Sequence, residues 1–84
     1  MAKEFTYEIV KELEVLVEDP RDNGWDLVAN YIKWGNSEKP VLDIRKWNKD
    51  RTRMSKGISL TGDGVHALYH LLQDNLDDIY KRLG

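Results

Sequence analysis

The sequence predicts an α+β domain: a four-stranded antiparallel β-meander followed by one C-terminal α-helix, in the order ββββα. Three observations predict it. Up to Leu60 the apolar residues fall in short β-branched and aromatic runs, separated by two turn clusters and a polar loop. Beyond Thr61 the apolar residues change to steps of three and four. With 84 residues there is room for one small domain, residues 1–84.

The first run, Tyr7 to Glu18, is aliphatic and β-branched, with Leu13, Val15 and Val17 alternating against Glu12, Glu14 and Leu16. That is close to the strand period of two, although its Glu and Lys content also permits a helix. The cluster from Asp19 through Pro20 to Gly24 is a turn. A second strand reads Trp25 to Trp34, and Gly35 to Pro40 turns the chain again. In the third strand, Val41 to Trp47, Leu42 and Ile44 share one face while Asp43, Arg45 and Trp47 share the other. Asn48 to Ser55 reads as a polar, basic loop, and Lys56 to Leu60 as a short fourth strand.

Val65, Leu68, Tyr69, Leu72, Leu76, Ile79, Tyr80 and Leu83 define an amphipathic helix over residues 62–83. Thr61 stands at its N-cap; Asp63 suits the positive end of the helix dipole, and Lys81 and Arg82 the negative end. Such a helix spans about 33 Å, whereas four strands cover only about 14–19 Å across the sheet. The helix is therefore expected to overhang its sheet, leaving the stripe through Leu72, Leu76, Ile79, Tyr80 and Leu83 to a second copy of the chain. The alternative is a kink that folds the last turns back.

Composition sets the class. Hydrophobic residues are 40% and charged residues 33%, which suits a folded domain, and no apolar run approaches the length of a membrane span. Met1 to Phe5 lacks the apolar core of a signal peptide, and there is no cysteine, so a cytoplasmic protein without disulfides is expected. A domain this small favours a binding module over an enzyme, and no cofactor is called for. The net charge of −2 hides an asymmetry: residues 1–44 carry −5, residues 45–60 carry +5 and residues 61–84 carry −2. A concentrated basic segment on an acidic chain implies a polyanion site or, more simply, a solvated loop.

Cations and aromatics coincide in that region. Lys33-Trp34 ends the second strand, Arg45-Lys46-Trp47 ends the third, Lys49, Arg51 and Arg53 occupy the loop, and Lys56 opens the fourth strand. Because the second and third strands are neighbours, Trp34 and Trp47 can lie near each other at the sheet's edge. Flat indoles on which unpaired bases stack, beside cations that follow the phosphates, make a single-stranded nucleic-acid platform. Equally, the two tryptophans can be core aromatics, and Asp43 can be the partner Arg45 needs if that face is buried.

The run Val41-Leu42-Asp43-Ile44-Arg45-Lys46-Trp47, a basic loop, then Lys56-Gly57-Ile58-Ser59-Leu60-Thr61 and a helix resembles the Positive Cofactor Four family of transcriptional coactivators, which bind single-stranded DNA. The short bacterial YdbC-type members are the closer likeness, through Gly24-Trp25, the spacing from Trp25 to Trp34, and Asp43-Ile44-Arg45-x-Trp47. The likeness covers about residues 7–83. It implies a curved sheet, a homodimer built through the helices, and DNA in channels across exposed sheet faces. It also implies that Arg45 and Lys56 hold the DNA backbone, that Trp47 stacks on bases, and that Trp34 is a second stacking aromatic. The Ser/Lys-rich regulatory tail of eukaryotic members has no counterpart here, so phosphorylation control does not carry over.

Other signals are weaker. His66, His70 and Asp74 have a helical spacing able to hold zinc, or are simply exposed polar residues. Thr61-Gly62-Asp63-Gly64 lacks the Lys-Ser/Thr of a phosphate loop. Single-stranded RNA as ligand, and a protein-interaction dimer using Trp34 and Trp47 as hot spots, stand beside single-stranded DNA as alternatives.

Overall fold

The β-branched and aromatic runs pair into one antiparallel sheet of order β1-β2-β3-β4, with β1 at Tyr7–Val17, β2 at Asp26–Trp34, β3 at Val41–Trp47 and β4 at Met54–Leu60. A single helix, α1 at Gly62–Leu83, follows. The structure is a computed structural model and describes residues 6–84. The stretch from Met1 to Phe5, read above for a leader, lies outside the described residues. Strand β4 starts ahead of the expected Lys56 because Met54 already pairs with Trp47 across the ladder.

Strict alternation fails in β1. Its register with β2 shifts between Ile9 and Lys11, between Glu12 and Glu14, and between Val15 and Val17, so Val10, Leu13 and Leu16 are left out of the ladder. The effective period becomes three: Ile9, Glu12 and Val15 stand opposite Ile32, Asn30 and Val28, while Lys11, Glu14 and Val17 stand opposite Tyr31, Ala29 and Leu27. Leu13 and Val17, expected to share a face with Val15, are exposed, and Val15 alone of the three packs on the core. Bulges of this kind bend a strand and increase its twist.

That bending shapes the sheet. Trp47 stands opposite Asp26, at the far end of β2 from Trp34. The two tryptophans are thus not neighbours in the ladder, the arrangement that the sequence allowed, since antiparallel pairing sends the strand ends apart by about 27 Å along a flat sheet. Yet the Tyr7 ring lies 5.8 Å from that of Trp34 and 5.9 Å from that of Trp47. Both ends meet one ring because the sheet coils, and its concave face closes over its own side chains. Val28, Ile32 and Trp47 are fully buried there, with Tyr7, Val15, Trp34 and Met54 around them. Burying each such side chain contributes about 1.5–3 kcal/mol. Asp26, Asn30 and Asp43 are buried on the same face, which follows from alternation along β2 and β3.

The helix begins at Thr61, whose carbonyl accepts from Val65 N–H while its hydroxyl caps nothing, and ends on Gly84, which donates to the Tyr80 carbonyl. It touches only β3 and β4 among the strands, and none of its residues is buried. Its first turn rests by Gly64 on Leu60, beside a hollow lined by Tyr31, Pro40, Leu42 and Val65. Beyond that turn it projects from the sheet instead of folding back, as the length comparison predicts. Among the described residues no helix is long and apolar enough to cross a membrane.

Candidate functional site

The motif that carries the resemblance resolves into one interlocked network on the concave face. Asp43, Arg45, Gly57 and Ser59 are placed on the same side of β3 and β4 by the pairings Asp43–Ser59 and Arg45–Gly57. The Asp43 carboxylate is fully buried. It accepts Arg45 Nε at 2.6 Å and Nη2 at 2.7 Å, and the Ser59 hydroxyl at 2.7 Å. Arg45 Nη1 donates to the Ser55 carbonyl at 3.3 Å. Ser59 Oγ in turn accepts the indole N–H of Trp34 at 3.0 Å, and the Arg45 guanidinium lies 4.8 Å from the Trp34 ring centroid. Gly57 is required here: a Cβ at that position would run into Arg45 Cβ and the Ile44 carbonyl oxygen.

Two expected roles change in this setting. The Arg45 side chain is only 13% exposed and its fork is committed to a buried carboxylate, so it is an internal partner and not a free phosphate ligand. Releasing it would leave Asp43 buried and unpaired, which costs several kcal/mol. Trp47, expected to stack on bases, has no exposed surface at all. It is the largest of the fully buried side chains, and its indole N–H has no partner among the described residues. The core reading of Trp47 holds in this structure, and Asp43 is the buried partner that a cation on that face demanded.

A second network consumes part of the basic loop. Asp26, at the start of β2, is 4% exposed. It accepts Lys49 Nζ at 2.8 Å, Arg51 Nη1 at 3.2 Å and the Asp19 backbone N–H at 2.9 Å. Arg51 also reaches Glu12 on β1 at 3.1 Å. The Lys49 hydrogen bond, seconded by the Asp19 amide, holds the Asp26 carboxyl down to about 2 against the opposing effect of burial. Arg21 holds Asp19 below the usual carboxylate range in the same loop, first by its side-chain hydrogen bond. The segment 48–53 is tightly built: Asn48 Oδ1 accepts the backbone N–H of Thr52 and Arg53, both at 2.9 Å, and Arg51 adopts a left-handed φ of 63°. Lys49 and Arg51 are therefore pins that tie this loop to β1 and β2.

Three cations remain. Lys46, Arg53 and Lys56 are exposed and, among the described residues, have no carboxylate partner. Lys33 is half-buried and stands opposite Glu8 in the β1–β2 register. Lys46 lines a shallow hollow of about 330 Å³ with Val17, Pro20, Trp25 and Leu27. Trp25, read from sequence as the start of the second strand, lies just ahead of β2, half-exposed between turn residues and Lys46. Ser59 and Asp43 were legible through period-two alternation on two strands, since their partners Arg45 and Gly57 recur two residues away.

On the helix, Leu72, Leu76, Tyr80 and Leu83 are exposed and Ile79 is half-buried. Tyr31 and Ile58 lie exposed on the convex sheet face. The His66 and His70 rings meet edge to face at 4.4 Å, but among the described residues no three His, Asp or Glu side chains converge as a metal site.

The chain thus defines a class by architecture: a coiled ββββα domain whose conspicuous polar features are one buried carboxylate–guanidinium–hydroxyl network and a partly neutralised basic loop. It is 37% identical over 77 residues to a protein of Treponema pallidum (strain Nichols), described as an uncharacterized protein, the match covering 92% of this chain and 87% of that relative. The chain belongs to the same family as that protein. No protein-family model matches it.

Proposed function

We propose that this chain is a single-stranded DNA-binding protein that acts as a homodimer, through phosphate neutralisation plus base stacking with little sequence readout. The observation that carries the reading is the charge left after internal pairing. Lys46, Arg53 and Lys56 stand exposed and, among the described residues, without a carboxylate partner on β3, β4 and their connection, in a chain that is otherwise acidic. A half-buried indole, Trp34, is fixed on the same sheet. The resemblance to the Positive Cofactor Four family supports the same reading and points to regulation of transcription as its setting. Dimerisation is supported by the overhanging apolar stripe of α1 and the exposed Tyr31 and Ile58, which two copies can cover reciprocally.

Titration with fluorescent oligo-dT, poly-U and duplex DNA over a range of salt tests this. Oligo-dT is expected to bind more tightly than duplex, with affinity falling as salt rises. Equal or tighter binding of poly-U moves the reading to RNA, and no binding of any polymer at low salt moves it to a protein-interaction dimer.

A further inference from the structure

We propose that Asp43 and Ser59 are positioning residues, which hold Trp34 in a single orientation as the stacking surface for an unpaired base; this rests on the single-strand reading above. The geometry is a relay. The buried Asp43 carboxylate can only accept, so the Ser59 hydroxyl donates its one proton to Oδ1 at 2.7 Å. That leaves the Ser59 lone pairs for the indole N–H of Trp34 at 3.0 Å. The direction of every bond in the chain Trp34 to Ser59 to Asp43 is therefore fixed by a buried charge. The same carboxylate holds the Arg45 fork in plane, and that guanidinium lies 4.8 Å from the indole centroid. Trp34 is thus tethered at its nitrogen and backed by a cation, both held by one aspartate.

The sequence context makes this more than packing. Trp34 is the last residue of β2, immediately before a turn in which Gly35 has a φ of 56°; its ring packs beside Tyr7 at 5.8 Å, and the Ser59 bond adds a fixed direction for its indole N–H. Stacking on a ring that already has one orientation avoids the ordering cost of binding. Ser59 is exposed as a residue, so replacing it removes the tether without opening the core.

The test compares the parent with Ser59→Ala, Ser59→Thr and Trp34→Ala. Readouts are oligo-dT affinity at several salt concentrations, thermal midpoint, and hydrogen exchange of the Trp34 indole proton by NMR. Ser59→Ala is expected to weaken oligo-dT about 2- to 10-fold, the range spanned by one hydrogen bond. The dependence of log K on log salt should stay unchanged, and the Trp34 indole proton should exchange faster. Ser59→Thr is expected to restore affinity and slow exchange together, which a merely structural role would not produce. Trp34→Ala sets the larger loss that Ser59→Ala approaches. If the parent binds oligo-dT and Ser59→Ala binds as tightly, or if Trp34→Ala loses nothing, the positioning proposal is overturned while single-strand binding stands. If the parent binds no single strand, the functional reading itself falls.

Discussion

Replacing Trp47 by alanine separates a core tryptophan from a stacking one. The side chain has no solvent exposure, belongs to the cluster of Val28 and Ile32, and is in ring contact with Tyr7. Truncating a buried tryptophan to alanine costs about 3–5 kcal/mol through lost transfer energy and the cavity left behind. A chain of this length has about 4–13 kcal/mol of total stability. The variant should therefore lose a large share of its stability, with a melting temperature lower by about 12–40 °C. Urea unfolding followed by circular dichroism measures it, and Trp47→Phe is the companion. Phenylalanine keeps most of the volume and removes an indole N–H that has no partner among the described residues. Leaving such a donor buried costs about 1–3 kcal/mol, which offsets part of the cavity. Trp47→Phe is thus expected to be much less damaging than Trp47→Ala. A Trp47→Ala protein with an unchanged urea midpoint and weakened oligo-dT binding would refute the assignment to the core.

The other tests are brief. Asp26 has its carboxyl lowered from an ordinary 3.8 to about 2, so the stability it contributes is present above about pH 4 and is lost as pH falls toward 2. Acid titration of Asp26→Asn should show this arm flattened relative to the parent. Gly57→Ala drives a methyl into Arg45 Cβ and the Ile44 carbonyl, and is expected to lower stability by about 1–3 kcal/mol in chemical denaturation. Arg53→Ala and Lys56→Ala should each make the plot of log K against log salt shallower by about 0.7 with the melting temperature unchanged. Arg45→Ala should instead lower the melting temperature by stranding Asp43.

The element order was legible because each strand is punctuated by turn residues and the helix by its change of period. What failed in β1 was the assumption of constant alternation. Three bulges convert a period of two into a period of three, and no residue type in Val10, Leu13 or Leu16 announces a bulge. The two readings that the sequence left open for Trp47 have a related cause. A basic residue two places before a tryptophan suggests a wet face, an acid two places earlier still permits a buried one, and only the burial of Asp43 decides between them. Similarly, a count of six cations in residues 45–60 says nothing of where their partners lie. Asp26 is set beside the loop by its pairing opposite Trp47, and Glu12 lies on β1, the strand beyond β2.

On the proposed reading, the surviving charge ties the salt dependence of binding to assembly. One protomer offers Lys46, Arg53 and Lys56, and three phosphate contacts on a single strand give a salt dependence of about 2 in log K per decade. A dimer engaging one strand with both protomers doubles this to about 4. The contact proposed to join them is the exposed stripe at Leu72, Leu76, Tyr80 and Leu83, with half-buried Ile79. The stripe lies beyond the first turn of α1, the turn that rests on Leu60, and so at a distance in sequence and structure from the cations proposed to bind. Leu76→Asp combined with Ile79→Asp places charges in that contact, where burial without partners is prohibitive. Sedimentation should show monomers, the sheet should keep its fold by circular dichroism, and the salt dependence for a long oligo-dT should fall from about 4 to about 2. A double variant that still sediments as a dimer would show that the stripe is not the contact. One that becomes a monomer with an unchanged salt dependence would show that a single protomer carries the whole strand.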